Sequence, residues 1–153
     1  MTGSRRPPAF WVVVGFLVVS IFLMVIGQTM AVFNYELTVR LGLQESFEQV
    51  GGYGVQVNRA VGAGDTLVYI PLMIVSLVGL VLRKRWSLLS MAAFFGVSAY
   101  WSLTIWCMLI FLRGAPGFAY DPGPEIWLFL GTYAVTGVVG LFYLVFRGDE
   151  LVR

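Results

Sequence analysis

Residues 10–33, 66–82, 86–112 and 126–146 form four apolar stretches of 24, 17, 27 and 21 residues, without one Asp, Glu, Lys, Arg or His among them. A hydrocarbon core of about 30 Å takes roughly 20 helical residues at about 1.5 Å each. A charge near its centre costs on the order of 2.5–3.5 kcal/mol on insertion scales. Each stretch is therefore expected to be a transmembrane helix. The fold class expected is an all-α integral membrane protein, a four-transmembrane-helix bundle with an ordered extracytoplasmic first loop at 34–65. With 59% hydrophobic and only 12% charged residues in 153, against about 25% charged in soluble domains, one membrane domain accounts for residues 1–153.

The basic residues set an expected orientation. Arg5 and Arg6, then Arg83, Lys84 and Arg85, then Arg147 and Arg153 fall in the tails and the second connection, whereas the first and third connections hold only Arg40, Arg59 and Arg113. Those two connections also carry Glu36, Glu45, Glu48, Asp65, Asp121 and Glu125. Short segments rich in Lys and Arg stay cytoplasmic, so both termini are expected inside a plasma or inner membrane, with Arg83, Lys84 and Arg85 as the topology anchor. Basic side chains dispersed at helix ends reach lipid phosphates, which makes membrane lipids the expected partner and argues against nucleic acid. The first stretch is too long for a secretory signal core and lacks a small-residue cleavage site, so it is expected to stay as a span.

Cys107 is the only cysteine and there is no histidine. Disulfides within the chain, zinc sites and imidazole ligation are thereby excluded, and no cofactor or metal is expected.

The first connection is too long to be structureless. Val39, Leu43, Phe47 and Val50 share a helical face over 36–50, with Glu36 and Arg40 one turn apart, and Gly51 and Gly52 are expected to end that helix. Tyr53, Val55 and Val57 alternate with polar or small residues as a short extended piece would, followed by a turn at 62–64. Asp65 or Thr66 then caps the second span, and Pro71 bends it. The third connection, with Pro116, Pro122, Pro124, Gly114, Gly117 and Gly123, reads as a tight non-helical crossing. Ser20, Gly27 and Ala31 on the first span, and Thr132, Thr136 and Gly140 on the fourth, are small-residue stripes suited to close helix approach in lipid.

Two groups of residues are candidates for a site. Tyr100 falls near the expected midplane, where a phenol needs a partner. With Gln28, Tyr69 and Thr104 it is expected to line a cavity open to the outside. The competing expectation is that each hydroxyl simply bonds a carbonyl of its own helix. Asn34, Glu36, Asn58, Arg59 and Asp65 form a candidate outer rim, in which Arg59 with Asp65 or Glu36 would clamp a charged ligand.

No catalytic motif stands in the chain, and no role as an enzyme is read from it directly. The function expected first is an accessory, assembly or lipid-binding membrane protein, with a membrane-protein partner or a second copy of itself. The alternative is a subunit of a small oligomeric transporter or channel, against which counts the lack of a carboxylate inside any span. An intramembrane enzyme acting on a lipid or quinone is the third reading.

Overall fold

The structure, a computed structural model, describes residues 6–152; Arg5 and Arg153 of the charge pattern lie outside the described residues. Four helices are long and apolar enough to cross a membrane: α1 (Pro8–Phe33), α3 (Phe47–Val81), α4 (Ser87–Leu112) and α5 (Pro124–Arg147). Two short helices, α2 (Tyr35–Arg40) and α6 (Asp149–Val152), complete the described chain, which contains no strand. Proline stands in the first turn of both α1 and α5, where the missing amide hydrogen is no loss and the fixed φ favours helix.

Helix α4 packs along both α5 and α3, and α1 packs along α3. Leu17, Met24, Met73, Leu80, Met91 and Phe94 are buried between them. The α4–α5 contact is close because of two glycines: a Cβ on Gly137 would stand 2.6 Å from the Ala99 nitrogen, and one on Gly140 would stand 2.6 Å from the Phe95 ring. Gly140 belongs to the expected small-residue stripe, whereas Thr132 of that stripe is exposed and bonds the Leu128 carbonyl instead. On α1, Ser20 and Ala31 are buried as that stripe requires.

The second spanning helix departs most from expectation. It begins at Phe47 and runs 35 residues to Val81, so the segments read as a short strand and a glycine turn are helical. Gly51, with φ 67° and ψ 174°, interrupts it for one residue. That backbone region is closed to side-chain-bearing residues, and the helix resumes directly after it. The double glycine therefore kinks the helix instead of ending it, and the first connection shrinks from 34–65 to 34–46. Within that connection only 35–40 is helical. Glu36 and Arg40 do form their ion pair, but Leu43 and Phe47 are exposed and the expected apolar stripe over 36–50 does not form. The third connection is non-helical as expected, turning at Gly114 (φ 81°) and Gly117 (φ 80°). It is stitched to the start of α3 by the Ala119 amide donating to the Gln49 carbonyl at 2.7 Å.

Both α1 and α3 carry a π-helical turn, at Val25–Thr29 and Asp65–Tyr69, and the two turns touch. In α3 the turn lies directly before Pro71, whose ring displaces the carbonyl one turn back and whose nitrogen has no hydrogen to donate. The wider turn accommodates both defects within a continuous helix.

Candidate functional site

Where the two π-helical turns meet, the helices approach at backbone distance. A Cβ on Gly62 would lie 2.7 Å from the Gln28 carbonyl oxygen, so glycine is what lets α1 and α3 touch there. Thr29 and Thr66 share a hydroxyl hydrogen bond of 2.9 Å across the contact. The backbone acceptors of the two wide turns are taken by side chains: the Thr66 hydroxyl donates to the Gly62 carbonyl at 2.7 Å, and the Gln44 amide donates to the Gly27 carbonyl at 3.2 Å.

Asp65 sits beside this contact, near the middle of α3, and is only 5% exposed. Its Oδ2 has no hydrogen-bond partner among the described residues. Its charge acts on two phenols, Tyr69 one turn along α3 and Tyr133 of α5. The described parts of α1 and α4 place no charged side chain against it. Asp65 was expected to cap a helix at the outer rim; continuous helix on both sides carries it inside instead. A helix long enough to cross a membrane thus holds a buried carboxylate.

A line of polar or small residues marks the inner face of α3: Asn58, Gly62, Asp65, Tyr69 and Ser76, three, four or seven positions apart, which is one side of a helix. Tyr69 donates to the Ser98 hydroxyl of α4 at 2.6 Å, and Tyr133 donates to the Ser20 hydroxyl of α1 at 2.8 Å. Ser98 in turn donates to the Phe94 carbonyl at 2.9 Å and Ser102 to the Ser98 carbonyl at 2.6 Å, the local bonding expected of serines in lipid.

At the end of the molecule that carries 34–46 and 113–123, the line opens into a cavity of about 140 Å3 lined by Gln28, Gln44, Glu45, Asn58, Val61 and Trp101, among others. Asp65 lies one turn past Val61. The buried indole Nε1 of Trp101 has no partner among the described residues. At the mouth, the Asn58 amide donates both to Glu45 Oε2 at 2.6 Å and to the Tyr35 hydroxyl at 3.0 Å, and Tyr35 donates to the Glu45 carbonyl at 2.8 Å. Burial is the main cause that raises the Glu45 carboxyl above its ordinary value, and it raises the Tyr35 phenol likewise.

The expected cavity of Gln28, Tyr69, Tyr100 and Thr104 is not assembled. Gln28 lines the polar cavity and Tyr69 is buried below it, but Tyr100 is 74% exposed and Thr104 is exposed too. Both face a shallow groove on the outer surface of α4. The reason is rotational: α4 buries Met91, Phe94, Ser98, Ser102 and Leu109, and two residues beyond Ser98 a helix has turned by about 200°. The interior phenols are Tyr69 and Tyr133.

The rim residues disperse as well. Asn34 caps α2 by accepting from the Leu37 amide at 3.1 Å, Glu36 pairs with Arg40, and Arg59 donates to the Val32 carbonyl at 3.1 Å, so no clamp joins Arg59 to Asp65 or Glu36. Asn58 alone of the five enters the cavity wall. Arg83, Lys84 and Arg85 are exposed at the opposite end, where Arg85 meets Asp149 at 3.2 Å and Arg6 donates to the Val81 carbonyl at 3.0 Å. No known family model, curated protein or solved structure matches this chain.

Proposed function

We propose that this chain is a transport protein, or a subunit of one, in which Asp65 takes up and releases a proton reached from the cavity beside Gln28 and Asn58. The observation that carries this reading is a carboxylate 5% exposed, with one oxygen unpartnered, inside a helix of membrane-spanning length. Holding a charge there costs several kcal/mol unless a proton or cation neutralises it. Groups of this kind mark ion pathways and proton relays in membranes. The neutral hydroxyls of Thr66, Tyr69 and Tyr133 give their protons to Gly62, Ser98 and Ser20 and not to Asp65, which leaves its Oδ2 free to take a proton. The cavity, which reaches Val61 one turn short of Asp65, has room for a few waters, at about 30 Å3 each, on one side of the molecule. By the positive-inside rule that side is extracytoplasmic.

The test is proton flux into liposomes holding a pH-sensitive dye, with the membrane potential clamped by a potassium ionophore. Wild-type protein should collapse an imposed gradient, Asp65→Asn should leave it standing, and Asp65→Glu should restore part of the flux. Equal flux in wild type and Asp65→Asn would sink the reading. Infrared difference spectra offer a second readout: a protonated-carboxyl band present in wild type should vanish in Asp65→Asn.

The accessory or lipid-binding reading ranks second, and one observation favours it. A larger, mostly apolar cavity lies at the same end of the molecule.

A further inference from the structure

Between the Gly51 kink of α3, the end of α4 and the 113–123 connection lies a cavity of about 510 Å3, within the usual range for small-molecule sites. Part of its wall carries no side chain: Gly51, Gly52, Gly54 and Gly117 line it, and Gly51 and Gly117 adjoin, a Cβ on Gly51 standing 3.6 Å from the Gly117 carbonyl oxygen. Val57, Leu109 and Leu112 give it an apolar floor, and the rings of Phe118 and Tyr120 stand edge to face at one side.

Glu45 is the one charged side chain in that lining. Its carboxylate receives the Asn58 amide and takes part in no ion pair among the described residues. Its field is felt inside the cavity: the Tyr120 phenol is pushed up to about 12, first by burial and then by the charges of Glu45 and Glu125. A neutral acyl chain would fill the apolar floor and leave that carboxylate unpaired; an anion would be repelled by it. A cation with an apolar body satisfies both features, since ring faces attract cations and a half-buried carboxylate is stabilised by a close counter-ion.

We propose that this cavity binds a lipophilic organic cation, a hydrophobic amine or an onium ion, with its charge against Glu45 and the Phe118 and Tyr120 rings and its apolar body on the α3–α4 floor. The site does not include Asp65, though it shares Glu45 and Asn58 with the polar cavity, and its test reads binding, not proton flux.

The experiment is equilibrium binding to the full chain in zwitterionic nanodiscs, comparing tetraphenylphosphonium with tetraphenylborate, ions of like shape and opposite charge. The phosphonium should bind saturably above the partitioning seen in empty discs, and the borate should only partition. Glu45→Gln should weaken phosphonium binding by about tenfold or more. Ala115→Trp, which fills the cavity without altering the carboxylate, should do the same, so a misfolded Glu45 variant leaves the question answerable. Gel filtration and circular dichroism establish that each variant is folded. Saturable binding of both ions alike, or phosphonium binding unchanged in a folded variant of either kind, overturns the proposal; the first outcome would identify a lipid-tail pocket.

Discussion

Asp65 and Glu45 are both carboxylates set among neutral donors, and the difference between them is what surrounds the charge. Glu45 has an amide donor in Asn58 and lies at the end of the molecule, whereas Asp65 has an oxygen with no donor among the described residues and lies within a helix long enough to cross a membrane. The Glu45 carboxyl is raised above its ordinary value of 4.5, chiefly by burial. Between 4.5 and that raised value the folded state binds more protons than the unfolded one, so the stability Glu45 contributes is present at low pH and lost as pH rises through the folded value. Hydrogen exchange over 41–46, corrected for intrinsic rates, should accordingly show protection growing as pH falls toward 4.5. Glu45→Gln should flatten that dependence; an equally steep profile in the variant would assign it to another group. The sequence offered Gln28 for a cavity and Asn58 only for the outer rim, whereas both line the polar cavity, and it offered Tyr100 as the buried phenol. Little in so apolar a run fixes its rotation about the helix axis, and the hydroxyls of α4 fall on both sides: Ser98 and Ser102 turn inward, Tyr100 and Thr104 outward.

At the scale of elements, the apolar runs of α1, α4 and α5 were legible nearly to the residue because lipid imposes length and composition together. The start of α3 was not. Its first half is rich in glycine and polar residues, which in water would read as loop, and its helicity rests on packing against α1 and the 113–123 connection. Asn58, Gly62, Asp65, Tyr69 and Ser76 recur at helical spacing across the point where the loop was expected to end, and that periodicity was the available signal. The Gly51 kink gives a direct test of the element. Gly51→Ala forces a Cβ into a glycine-only backbone region and should cost about 1–3 kcal/mol, read as an earlier unfolding midpoint in detergent. Gly52→Ala is the control: its backbone is helical and its Cβ meets only the movable Phe47 ring at 3.2 Å. Equal midpoints for the two variants would show that the kink carries no strain.

For the molecule as a whole, the basic residues predict which way the helices point. Reporters fused after Gly42 and after Gly117 should be extracytoplasmic, and reporters after Lys84 and at the C-terminus cytoplasmic. One reversed reporter defeats that arrangement, and with it the assignment of the Gln28 cavity to the outside. The two halves of the fold also differ in how they can deform. Gly137 brings α4 and α5 backbone against backbone and Gly140 seats the Phe95 ring, while α1 and α3 meet through paired π-helical turns. Such a turn is a helix carrying one surplus residue, and the surplus can be handed along the chain as a travelling register defect. Each residue it passes is rotated by about 100° about the helix axis, without hinge or tilt. A defect handed one step past Asp65 would swing its carboxyl through about that angle from one sector of the interior to another.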